Sequence, residues 1–183
     1  MTKLMEPFHG TNQTIEKVAL TFRMRLEIEP DCRIGASGRL VECVKETGGK
    51  IRVVDSPASY EAEGGSLVIR GPHQYTIYLS PYTTPLRDNF TLAHELGHFM
   101  LHYTPRRKEF DEDDLPLVFA RYGTGLLEWQ ANRFAAALLM PQEPFMKDHK
   151  RLNGDLELLA GHYGVSVPAA EVRCKSLGLT DND

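Results

Sequence analysis

The chain has 183 residues, 42% of them hydrophobic and 25% charged, with a formal net charge of -4. This is the balance of one ordinary folded domain, and a chain of this length buries roughly two thirds of its unfolded surface without needing disulfides or oligomerisation. The mild acidity excludes a general attraction to phosphate backbones or anionic membranes.

The start, MTKLMEPFHG, lacks the apolar stretch of a secretory signal, and the longest apolar run, Phe134 to Met140, is far too short to span a membrane. The three cysteines Cys32, Cys43 and Cys174 are an odd number with no C-x-x-C pair, which fits a reducing, cytoplasmic setting. Ile15, Val18, Ala19, Phe22 and Leu26 recur at helical spacing, so residues 12–28 are expected to form an amphipathic helix stopped by Pro30. A short helix follows at 37–47, ended by Gly48-Gly49. Alternation in IRVVD, SLVIR and YTIYLS predicts strands near 50–55, 66–70 and 74–80, with turns at Gly64-Gly65 and Gly71-Pro72.

Beyond Pro81 and Pro85 the pattern is helical, with helices expected at 88–102, 124–140, 142–151, 155–163 and 167–177. Between the first two, Arg106, Arg107 and Lys108 precede the acidic run Asp111 to Asp114, and these charge blocks read as a solvated loop or a flap over a site. The class is α+β, a small sheet followed by helices.

Histidines are unevenly spread: His94, His98 and His102 crowd into one predicted helix, and residues 94–98 read His-Glu-Leu-Gly-His. This H-E-x-x-H pattern is that of a zinc-dependent hydrolase. At about 100° per residue, His98, Thr91, His102 and Glu95 fall within an arc of about 100° from His94. Apolar Leu92, Ala93, Leu96, Phe99 and Met100 fill the other directions, leaving a polar stripe on a buried helix. Unpaired polar groups there would cost on the order of 1–3 kcal/mol each, and a metal satisfies two imidazoles at once. Residues four apart are stacked neighbours able to reach one Zn²⁺, and Glu95 stands beside the pair, placed to take a proton from bound water.

A catalytic zinc needs a third protein ligand. A further histidine six residues on is not available, because Thr104 stands there. Glu128, opening the helical segment EWQANRFAAALLMP, is the best candidate, although a carboxylate at a helix start is also favoured by the dipole alone. Asn132 follows one turn later and is placed to accept the free N–H of a liganding histidine. His102, about 6 Å further along the helix axis than His98, is too distant to share the ion. It reads as a partner behind the ligands, a substrate-facing group or a structural histidine.

The segments FTLAHELGHFMLH at 90–102, EWQANRFAAALLMP at 128–141 and LLAGHYGVSVPAAEVRCKSLGL at 158–179 resemble the ImmA/IrrE family of bacterial and phage zinc metallopeptidases. The resemblance implies His94, His98 and Glu128 as zinc ligands and Glu95 as general base. It implies a zincin-like core, placed at 36–141; the residues themselves give an N-terminal helix and linker (1–35), for which the family offers no counterpart, and a C-terminal helical, helix-turn-helix-like subdomain (142–183). It also implies that the strand near YTIYLS pairs with extended substrate. Family members typically cut a helix-turn-helix repressor, and the shorter phage or mobile-element branch is the closer match, with no C-terminal sensor domain expected.

The expected reaction is therefore peptide hydrolysis in a repressor partner, with Tyr103, Tyr122, His102 and His149 as candidates to stabilise the oxyanion. The alternative is a zinc-containing toxin or binding partner of a helix-turn-helix antitoxin or repressor, without efficient proteolysis. Direct DNA binding by the tail is not expected, because Lys147 to Asp183 holds five Lys or Arg against six Asp or Glu.

Overall fold

The computed structural model describes residues 5–29, 31–55, 65–111, 114–120 and 125–179. Among the described residues the architecture is α+β, with seven α-helices and one mixed four-stranded sheet. Helix α1 spans Asn12–Arg25, capped by the Thr11 hydroxyl, and buries Ile15, Ala19 and Phe22. It ends short of residue 28 because Glu27 turns into the left-handed region at φ 52°. Pro30, expected to stop it, lies outside the described residues. Helix α2 is Arg39–Glu46.

Strands β1 (Gly49–Val53), β2 (Gly65–Gly71) and β3 (Gln74–Leu79) lie close to their expected positions. A fourth, β4 (Leu117–Ala120), falls where a charged connection was expected. The order is β1-β3-β2-β4, with β1 parallel to β3 and the other pairs antiparallel. This overturns one expectation: β3, the YTIYLS strand, is hydrogen-bonded on both sides and has no free edge for a substrate strand. Among the described residues the edge strands are β1 and β4.

Helix α3 (Pro85–Gly97) leads into a π-helical turn, His98–Tyr103, and then a 3-10 turn, Thr104–Glu109. The basic half of the expected charged loop is therefore helical, and Arg106 pairs with Glu109 at 2.8 Å. Helices α4 (Leu126–Leu139), α5 (Gln142–Arg151), α6 (Leu156–Tyr163) and α7 (Val167–Ser176) follow within two residues of expectation.

Helix α4 packs between α1 and α3. Its last carbonyls have no partner within the helix, and two buried arginines take them. Arg23 of α1 donates to Leu138 O and Arg173 of α7 donates to Met140 O, each at 3.0 Å. Arg173 in turn grips the Glu16 carboxylate at 2.6 and 2.9 Å. The C-terminal end of α4 is thus held by both ends of the chain, which fixes where its N-terminal end points.

The tail packs on the rest of the molecule through the α6–α7 turn. A Cβ on Gly164, at φ 65°, would lie 2.5 Å from Ala36 N, so only glycine allows this approach. Asn89 of α3 donates to both Gly35 O and Gly164 O. Phe145, Leu159, Tyr163 and Cys174 belong to the same apolar cluster as Leu67, Leu96 and Phe134. Among the described residues no helix is long and apolar enough to cross a membrane.

Candidate metal centre

Helix α3 begins with a Thr84 side-chain cap and Pro85 in its first turn, and buries Leu92, Ala93 and Leu96. That orientation turns His94 and Glu95 toward a cleft of about 980 Å³, also lined by Arg87, Thr91, Glu128, Asn132 and Ser166. Gly97 lets α4 come close on the other side: a Cβ there would lie 3.0 Å from both Ala131 Cα and Ala131 O. Ala131 is one turn from Glu128, so this contact sets the carboxylate's distance from the histidines.

His94 Nε2 lies 3.1 Å from His98 Nε2, and each is 3.2 Å from a Glu128 carboxylate oxygen. These three side chains form a group able to hold one metal ion. Two imidazoles and a carboxylate at about 2.0–2.1 Å from a tetrahedral ion require ligand atoms roughly 3.3 Å apart, so the donor set fits with only small adjustment. His94 Nδ1 contacts Asn132 Oδ1 at 2.9 Å, the partner expected for it. With Nδ1 donating, Nε2 keeps its lone pair toward the site.

Glu95 is buried beside the pair. Its Oε1 accepts the Ser66 hydroxyl at 2.6 Å, whereas Oε2 is buried with no hydrogen-bond partner among the described residues. Burial raises the Glu95 pKa above the usual carboxylate value, and the nearby His94 and His98 offset this only in part. The Glu128 carboxyl is held far below its ordinary value by its bonds to His94 and His98. Burial opposes charge on His94, but Glu128 and Glu95 outweigh it and the pKa is raised. One carboxyl is thus poised to carry a proton while the other stays ionised.

His102 sits behind His98, one of the places the spacing left open for it. It lies four residues beyond His98 within the π-helical turn, and its Nδ1 comes to 3.1 Å from His98 Nδ1. His102 is fully buried and does not face substrate. Burial, reinforced by His98, lowers its pKa to about 4, so it is neutral at physiological pH. Phe119 of β4 packs its ring against His98, with centroids 4.6 Å apart.

The oxyanion candidates fare differently. Tyr103 is buried against Phe99 and Phe110, and His149 lies over Gly154 beyond the end of α5, so neither lines the cleft. Tyr122 lies outside the described residues. Sequence reasoning missed Ser66 and Gln130. Ser66 opens an otherwise apolar strand stretch, and Gln130 stands in an apolar helix face, so a lone polar residue at a buried position was the only signal for either.

The family described as IrrE N-terminal-like domain (Peptidase_M78) matches residues 50–175, which is more than half of the chain and spans the segments 90–102 and 128–141. No curated protein and no solved structure matches it. With that match laid over a His-Glu donor set at the mouth of a cleft, the chain belongs to the ImmA/IrrE family of metallopeptidases.

Proposed function

We propose that this protein is a cytoplasmic zinc-dependent endopeptidase with a zincin-like core that cleaves a helix-turn-helix repressor. The observation that carries the peptidase reading is Glu95, a buried carboxyl with one oxygen unpartnered among the described residues, beside a three-ligand cluster. His94, His98 and Glu128 would hold the ion, which when bound supplies a Lewis acid for the scissile carbonyl. Ser66 holds one carboxylate oxygen of Glu95, leaving Oε2 to take a proton from the attacking water and pass it to the leaving amine. Asn132 fixes the ring of His94. A repressor as substrate rests on the family resemblance.

The test is Glu95→Gln. Zinc content is expected to remain at the wild-type level while cleavage of the helix-turn-helix protein encoded nearby falls by at least about 10²-fold, the usual contribution of a positioned proton-transfer group. Undiminished cleavage with zinc bound would remove Glu95 from the mechanism. Stable complex formation without any cut, even in the wild type, would favour a toxin-like binding component instead.

A further inference from the structure

Behind the candidate ligand His98 runs an unbroken line of hydrogen bonds, buried as far as Gln130, that ends on the main chain of the N-terminal segment. His98 Nδ1 meets His102 Nδ1 at 3.1 Å, and His102 Nε2 meets Gln130 Oε1 at 3.1 Å. The Gln130 amide is then clamped at both atoms by one residue: Phe8 N donates to Oε1 at 2.9 Å, and Nε2 donates to Phe8 O at 2.8 Å. His98, His102 and Gln130 are each no more than 2% exposed, so water does not compete for the two bonds that join them.

The direction of each bond follows from the main chain. A backbone N–H only donates and a carbonyl only accepts, so Phe8 permits one orientation of the Gln130 amide, with Oε1 toward His102. That oxygen accepts, so His102 must carry its proton on Nε2. A neutral imidazole has one N–H, which makes His102 Nδ1 an acceptor. His98 must therefore donate from Nδ1, and its lone pair is left on Nε2, the atom 3.2 Å from Glu128. Reversing any one bond would set two donors or two acceptors against each other in a buried site, at a cost on the order of 1–3 kcal/mol.

We propose that the backbone of Phe8, through Gln130 and His102, sets the tautomer of His98 and so prepares its Nε2 to bind the metal. Phe8, Gln130 and His102 are positioning residues, and Phe8 lies outside the matched residues 50–175. A segment with no counterpart in the family motif thereby acts on the centre of the molecule. The inference rests on the reading of His98 as a ligand.

The test uses the full chain labelled with ¹⁵N-histidine and loaded with zinc. Long-range ¹H–¹⁵N correlation is expected to show His98 protonated at Nδ1 and His102 at Nε2. His102 protonated at Nδ1 in the wild type would overturn the proposal. Gln130→Met, close in shape but unable to accept the bond, should give mixed His102 tautomers. It should also show zinc affinity lowered about 10–100-fold in chelator competition, the usual loss when a ligand's hydrogen-bonding partner is removed. A folded Gln130→Met chain with wild-type affinity and a single Nε2–H tautomer would equally sink it. Phe8→Pro, which deletes the N–H while keeping the carbonyl, should weaken zinc binding in the same direction, and wild-type affinity there would remove Phe8 from the line. Should Gln130→Met fail to fold, the wild-type spectrum decides alone. Failure of the underlying metal-site reading looks different: zinc would not bind the wild type, or His98→Ala would bind it undiminished.

Discussion

Gly97→Ala is a small change whose effect on the metal centre can be worked from the packing. An added Cβ would meet Ala131 Cα and Ala131 O at 3.0 Å and Phe134 Cβ at 3.3 Å. Ordinary carbon contacts lie at about 3.5–4.0 Å, and two of these neighbours are backbone atoms that cannot turn aside. Helices α3 and α4 must therefore part by about 0.5 Å. Overpacking of this kind costs about 1–3 kcal/mol, while replacing a helical glycine by alanine returns about 1 kcal/mol. The net loss is at most about 2 kcal/mol, a fall in Tm of up to about 8 °C for a chain of this size. The ligand geometry is less forgiving, because metal sites tolerate departures of about 0.2 Å. Glu128 rides on α4 one turn from Ala131, and His94 and His98 flank Gly97, so the separation falls between the ligands themselves. Zinc affinity is expected to drop at least about tenfold, or about 1.4 kcal/mol, while the metal-free protein stays folded. Chelator competition and thermal denaturation of the metal-free protein measure the two effects separately. A Gly97→Ala chain that binds zinc as tightly as wild type would refute the claim that this helix contact sets the Glu128 distance.

Two further expectations concern stability. Asp148 accepts hydrogen bonds from Tyr163, Arg151 and Arg33, which outweigh burial and lower its pKa from 3.8 to about 2. A depressed carboxylate stabilises the fold above its unfolded pKa of about 3.8 and loses that contribution as pH falls toward 2, here about 2 kcal/mol. Between pH 5 and 2, urea unfolding should therefore show a larger stability loss for wild type than for Asp148→Asn, and equal losses would contradict the linkage. Glu16→Ala leaves Arg173, 1% exposed, without its carboxylate. Breaking a buried pair in this way is expected to cost about 3 kcal/mol in urea unfolding, and a loss below about 1 kcal/mol would show that Arg173 is satisfied by Met140 O alone.

The sequence by itself carried whatever is written at short range. Helical spacing placed His94, His98 and Glu95 on one polar stripe, and Glu128 and Asn132 one turn apart on a second helix, because an α-helix makes neighbours of residues three and four apart. Alternation likewise located three strands. The order of those strands was not legible: that β3 lies inside the sheet and β4 at its edge depends on pairings across the chain, and β4 is too short to show a period. The change of pitch after His98 was equally hidden. A π turn repeats no apolar pattern, although His102 as a partner behind His98 was already among the readings that the four-residue spacing allowed. Ser66 reaches Glu95 across 29 positions, and Phe8 reaches Gln130 across 122. Partners so far apart leave no periodic trace, and only a buried polar atom's need for a hydrogen bond, met in three dimensions, brings them together. The chemistry of the site was thus readable from local spacing, whereas the direction of its hydrogen bonds and the distance between its ligand-bearing helices were decided by the tertiary fold.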